Sequence, residues 1–291
     1  MTERTNERTP ADAGTPNGRA PADTGRSNGR TARRQGWQPP AHVAITGAAG
    51  AIGGALARAM RRAWPACELA LIDRAPTTDL ATALGGATTH VADLTDLAAL
   101  PALVDAVEAA GPLEGLVNCA GVMRVQQLAT WRWEDAWNLL ALDLLAPLRL
   151  QDLVARAMAE RGTGTIVNVA SMAGRVPLRG CAYYGAAKAG LAMASEIARA
   201  ELASQGVRVV TVYPGPVRSA LEQGARDAYG GGGLLGRLAP TGNADALAAR
   251  ILHAIVENEA RVIYPRLYGV GWIAPNVSRR VALDYGPPPV V

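Results

Sequence analysis

Lysine is almost missing from this chain: of 29 basic residues among 291, only Lys188 is a lysine and all the others are arginine. Arginine is a broad planar fork whose pKa is too high to tune, whereas an ammonium is a compact charge that fits beside a phenol and a ribose. The one place that keeps lysine is therefore the first candidate for chemistry. Cysteine and histidine are scarce as well. Cys67, Cys119 and Cys181 are odd in number and share no metal-like spacing, which predicts a reducing, cytoplasmic setting. His42, His90 and His253 are scattered, so no metal site is expected. No apolar core of a secretory signal is present, and none is expected to act. The one long stretch without charge, Gln35 to Ala57, is interrupted by prolines and glycines, so no transmembrane segment is expected. Large apolar side chains are nearly absent before Trp37, and residues 1–40 cannot bury enough surface to offset the entropy of ordering. They are expected to form a disordered tail. Its seven arginines against four acids carry most of the formal charge of +4, leaving the rest close to neutral. The tail reads as a solvated spacer, and no nucleic-acid partner is expected.

The full chain is 49% hydrophobic, and beyond the tail short apolar runs alternate with helical patterns. Strands are predicted near Val43 to Thr46, Leu69 to Ile72, Thr88 to Val91, Leu113 to Asn118, Thr165 to Val169, Val207 to Val212 and Arg261 to Tyr264. Continuous apolar strands joined by helical crossovers imply an α/β fold, a doubly wound parallel sheet covered on both faces with its ligand at the carboxyl edge. The expected organisation is the tail, one Rossmann-type domain over 41–265, and a C-terminal extension over 266–291. No internal repeat is found.

Two patterns point to chemistry. Tyr184-Gly-Ala-Ala-Lys188 opens an alanine-rich helical segment, and residues four apart share one helix face. An ammonium beside a phenol favours the phenolate, so Tyr184 can exchange protons. The other pattern is a strand, a glycine turn and a helix: His42 to Thr46, then Gly47-Ala-Ala-Gly50-Ala51-Ile52-Gly53, then a helical run from Ala55. Such glycines let the backbone approach a pyrophosphate held at the helix N-terminus. A second strand ends in Asp73, 20 residues after Gly53, where a carboxylate can grip the ribose hydroxyls.

With these motifs the chain resembles the short-chain dehydrogenase/reductase family over about His42 to Pro265. Thr46 to Gly53 resembles that family's cofactor turn and Asp93-Leu94 its adenine-capping element. Asn118-Cys-Ala120-Gly121 stands where the family has Asn-Asn-Ala-Gly. Ser171, 13 residues before Tyr184, has the spacing of the substrate-binding serine. Pro214-Gly215-Pro-Val217-Arg-Ser219 resembles the turn beside the nicotinamide. The resemblance implies an NAD(P)-dependent alcohol dehydrogenase or ketone reductase in which Tyr184 exchanges the proton, Lys188 lowers the tyrosine pKa and holds the ribose, and Ser171 hydrogen-bonds the alkoxide. It also implies that Ala51, Ile52 and the other residues of these motifs contact the dinucleotide. NAD is expected in preference to NADP because of Asp73, with Arg74 able to soften the choice.

Three departures stand out. Ala51 occupies the middle glycine position of the turn, Cys119 replaces an asparagine, and Asp143, in Ala-Leu-Asp-Leu144, stands where the family has a catalytic asparagine. The family uses that position through its backbone carbonyl, and Asp143 is expected to serve in the same way while adding a charge. The site wall is expected from Met123, Val125, Met172, Arg175, Val176, Pro177, Tyr183 and the loop 220–240, whose Gly230-to-Gly233 run reads as a mobile lid. Its apolar character points to a small-molecule alcohol or ketone with a hydrophobic body. Cys181 reads as packing. Trp131, Trp133, Trp137 and the aromatic C-terminal stretch read as packing or subunit surface, consistent with a homodimer or homotetramer. The rival reading is a non-catalytic dinucleotide-binding regulator of the same fold, left open by Asp143 and Cys119 and opposed by the intact Ser171, Tyr184 and Lys188.

Overall fold

The computed structural model describes residues 37–230 and 240–289. Most of the tail and of the Gly230-to-Gly233 run therefore lies outside the described residues.

Strand β1 (His42–Thr46) leads through a glycine turn into helix α1 (Ala51–Ala63). Helix α1 presents Ala55, Leu56, Ala59 and Met60 to the sheet, and near its C-terminus Arg61 donates to the carbonyls of Pro65, Cys67 and Gly86. The chain continues through β2 (Glu68–Asp73), α2 (Thr78–Ala83), β3 (Thr88–Val91), α3 (Leu100–Glu108) and β4 (Gly115–Asn118). Helices α4 (Trp133–Leu140) and α5 (Ala146–Arg161) follow, joined by a single wider π turn over Ala141–Leu145. After β5 (Gly164–Val169) comes the long α6 (Ala182–Leu202), then β6 (Val207–Pro214), α7 (Ala220–Ala228), α8 (Ala244–Val256) and β7 (Arg261–Tyr264). Two short helices, α9 (Val270–Ile273) and α10 (Pro275–Tyr285), close the described chain.

All seven strands are parallel, in the order β3-β2-β1-β4-β5-β6-β7. The order reverses between β1 and β4, and there the crevice at the carboxyl edge opens. Residues of β1, β4, β5 and β6 are buried on both faces because helices cover both. One core packs α1 and α8 against side chains such as Ile45, Leu69 and Val210; the other packs α3 and α5 against Ala44, Leu116 and Ile166. The parallel sheet and each expected strand are present. No described helix is long and apolar enough to cross a membrane.

Candidate active site

The glycine turn is built by backbone contact. Gly47 lies at φ 69°, and a Cβ on Gly53 would stand 2.2 Å from the Gly47 carbonyl oxygen. Only a bare backbone allows so tight a fold. Helix α1 starts at Gly50 with no side chain capping its first amides and no acid in its first turn. Those amides are free to take an anion, with the positive end of the helix dipole behind them. Ala51, the departure from the glycine pattern, is exposed and Ile52 packs on the first core. Asp73 ends β2 beside this turn: one carboxylate oxygen accepts from the Ala49 amide at 3.0 Å and the other from the Ala75 amide at 3.0 Å. Arg74 next to it is exposed.

Asp93 accepts from the Thr95 amide at 2.9 Å and hydroxyl at 2.8 Å, which holds its carboxyl below the usual range. The Leu94 side chain packs in the second core. At the end of β4, Asn118 donates to the Pro147 carbonyl and to Asn168. Thr46 draws the next two residues in, its hydroxyl accepting from the amides of Cys119 and Ala120 at 3.0 and 3.1 Å. Burial pushes the Cys119 thiol up to about 12, so it stays neutral. On the far side, the Gly215 amide after Pro214 donates to Tyr264, Val217 is buried, and Ser219 caps α7 through the Glu222 amide. The motifs read from sequence thus gather along one edge of the sheet.

The candidate reacting groups come from three elements. Ser171 follows β5 and accepts from the Ala173 amide at 3.1 Å. Tyr184 and Lys188 lie one turn apart on α6, both buried, with the ammonium 6.0 Å from the phenol ring centre. Lys188 donates to the Val169 carbonyl at 3.2 Å. Asp143 reaches them from the π turn. Its Oδ1 accepts from the Val122 amide at 2.8 Å, and its Oδ2 lies 3.3 Å from the Lys188 Nζ, an ion pair set off the direction of a hydrogen bond. The expectation of a role through the backbone carbonyl therefore meets a side chain turned onto the lysine. Gly121 makes room for this cluster: a Cβ there would lie 3.1 to 3.3 Å from the ammonium and both carboxylate oxygens.

Electrostatics follow from burial. Desolvation pushes the Tyr184 phenol up, Lys188 pulls it down, Asp143 pushes it up again and nearby Ser171 favours the phenolate; the balance lies above the ordinary tyrosine range. The lowering expected from Lys188 is present and is outweighed. Burial disfavours the Lys188 ammonium, but Asp143 and then Tyr184 more than offset that and raise it. Burial raises the Asp143 carboxyl against the pull of Lys188 and the Val122 amide.

The surroundings of the cluster are apolar and have members that sequence spacing did not reveal. Val122, Met123, Val125, Trp131 and Tyr183 pack around Tyr184, Cys181 and Leu139. Tyr229 joins them from the end of α7, its hydroxyl donating to the Arg179 carbonyl at 2.5 Å and lying 3.3 Å from the Cys181 sulfur. The C-terminal segment supplies the other side. Tyr268 lies against Gly215, Gly271 against Met172 and Val176, and Trp272 packs edge-on against Tyr213 with Arg175 stacked at 4.5 Å. Its aromatic spacing was legible, but its packing on its own domain was not. Trp133 and Trp137 share an exposed face, with ring centres 6.5 Å apart. Among the described residues no cluster of His, Cys, Asp and Glu could hold a metal ion.

The sequence profile described as short chain dehydrogenase matches residues 41–230. D-threitol dehydrogenase of Mycolicibacterium smegmatis is 36% identical over 205 residues, covering 68% of this chain and 78% of that protein. A protein named inactive 2-(S)-hydroxypropyl-CoM dehydrogenase 2, of Xanthobacter autotrophicus, is 38% identical over 168 residues, covering 56% of this chain and 72% of that protein. A solved short-chain dehydrogenase from Sphingobium yanoikuyae in complex with NADPH aligns with a TM-score of 0.68 at 29% identity, over 84% of this chain and 95% of that one.

Proposed function

Because this chain belongs to the short-chain dehydrogenase family, we propose that it is an NAD(H)-dependent oxidoreductase interconverting a secondary alcohol and a ketone with a hydrophobic body. The observation that carries the reading is the convergence of Ser171, Tyr184 and Lys188 at the carboxyl edge, next to a glycine turn whose uncapped helix start fits a pyrophosphate. Gly47 to Gly53 with Asp73 would hold the pyrophosphate and adenosine ribose, Lys188 and Tyr184 the second ribose, and Pro214 to Ser219 the nicotinamide side. The hydride chemistry is what the nicotinamide supplies when bound. In the ketone direction Tyr184 gives its phenolic proton to the substrate oxygen, and in the alcohol direction it takes that proton back. Ser171 donates a hydrogen bond to the oxygen as negative charge develops on it. Both groups are buried, which strengthens each interaction.

Asp73 favours NAD, since its carboxylate already faces the turn and would repel a 2′-phosphate. The apolar wall of Met172, Val176, Tyr183 and Val125 favours a hydrophobic substrate. The reading extends to a cytoplasmic homodimer or homotetramer, supported by the exposed faces of Trp133, Trp137, Met193 and Ile197. The regulator reading gains from the similar protein whose name calls it inactive, and is opposed by the presence of Ser171, Tyr184 and Lys188 together, which a pure sensor would not need. A panel of alicyclic and aromatic ketones and alcohols, followed by NADH absorbance, tests the proposal. Turnover of a bulky member supports it, and cofactor binding without turnover of any member favours the regulator.

A further inference from the structure

Asp143 is fully buried, yet it is neither an isolated charge nor a structural pair remote from the chemistry. One oxygen is pinned by the Val122 amide, so the carboxylate cannot swing away, and the other is held 3.3 Å from Lys188 Nζ. The ammonium is in turn pinned by the Val169 carbonyl. A Cβ at Gly121 would lie 3.1 to 3.3 Å from all three charged atoms, so a side chain there would crowd the pair. A neutral amide in place of the carboxylate would leave the ammonium's full charge acting on the phenol one helical turn away.

Resting on the oxidoreductase reading above, we propose that Asp143 is a positioning residue that pairs with Lys188 and cancels much of its charge at Tyr184, keeping the phenol protonated to higher pH than the lysine alone would allow. Among the other ionisable groups facing the cluster, none acts on the phenol as strongly as Asp143 in this sense. Cys119 from the end of β4 is a thiol held neutral by burial, with Asp73 acting on it from beyond; Cys181 from the start of α6, its thiol also raised by burial, pushes the phenol in the same direction as Asp143 but as the smallest contributor. Burial and Asp143 both raise the phenol. The consequence is kinetic: proton donation to a ketone persists into alkaline solution, while alcohol oxidation needs a higher pH to generate the phenolate. The equilibrium of the reaction is untouched.

The decisive readout needs no turnover. Ultraviolet difference titration of the purified full chain against Tyr184→Phe reads the ionisation of this one phenol, and the same pair is prepared on Asp143→Asn. The phenol is expected to ionise about one pH unit or more lower in the Asn background, the effect of removing a unit charge several ångströms away at an effective dielectric of about 20. Equal midpoints, or a higher one in the Asn background, overturn the proposal. Asp143→Glu, which keeps the charge, is expected to titrate close to wild type, and a Glu midpoint matching Asn overturns it as well. Should Asp143→Asn not fold, the wild type still decides: a phenol ionising at or below neutrality contradicts the screening. Lack of turnover on every substrate would count against the oxidoreductase reading alone, and an unmoved phenol in an active enzyme against this proposal alone.

Discussion

Replacing Lys188 by Met is expected to destabilise the protein in a pH-dependent way, with a sign set by Asp143. The carboxylate is 0% exposed; its counter-charge is the ammonium at 3.3 Å, and the Val122 amide donates to it at 2.8 Å. Met keeps the length of the side chain and removes the charge. Stripping one partner from a buried ion pair costs about 3–5 kcal/mol, and in a domain of this size that lowers Tm by roughly 10 °C. Asp143 can escape the penalty only by taking a proton. Its folded-state pKa, already raised by burial, rises further without the ammonium and stands above the unfolded value. A carboxyl raised in this way favours the folded state below its unfolded pKa, and the benefit is lost as pH climbs through the folded pKa. The Tm gap between wild type and Lys188→Met is therefore expected to be small at about pH 5 and large at about pH 8. Thermal melts by circular dichroism at matched ionic strength measure it. A gap of equal size at both pH values refutes the reasoning. Adding Asp143→Leu to Lys188→Met is expected to restore most of the loss, because an apolar replacement of a buried pair is often neutral.

Gly53→Ala would place a methyl carbon 2.2 Å from the Gly47 carbonyl oxygen, and the turn must shift to admit it. At about 1–3 kcal/mol for such overpacking, NADH is expected to bind roughly tenfold more weakly, read by fluorescence titration; unchanged affinity would place the cofactor elsewhere. If Asp73 holds the ribose as proposed, catalytic efficiency with NADH is expected to exceed that with NADPH, and Asp73→Ala to narrow the difference. Equal efficiencies in the wild type would show that the exposed Arg74 governs the choice.

The sheet and the cofactor turn were legible in the sequence because they rest on local signals. Apolar runs at Val43 to Thr46 and Leu69 to Ile72 are strands wherever they fold, and Gly47 and Gly53 sit where backbone meets backbone. Tyr184 and Lys188 were legible from helical spacing. The orientation of Asp143 was not, since it lies within the π turn at Ala141–Leu145, a departure from α-helical geometry that sequence spacing does not show. The net raising of Tyr184 was hidden for the same reason: sequence shows the lysine four residues on, but not the burial that outweighs it. Tyr229 from the end of α7, and Tyr268 and Trp272 from the segment after β7, reach the site through tertiary packing. No periodicity in those segments points to β5 or α6.

The central claim is that Tyr184 carries the proton, and single-site replacement by Phe tests it most directly. Phe keeps the buried ring and removes only the hydroxyl. Steady-state turnover of the best ketone, measured by NADH absorbance alongside a fluorescence titration of NADH, is expected to fall by at least about 10² in the variant, the low end for losing a general acid/base, while NADH affinity stays close to wild type. A Phe variant that retains wild-type turnover would contradict the account.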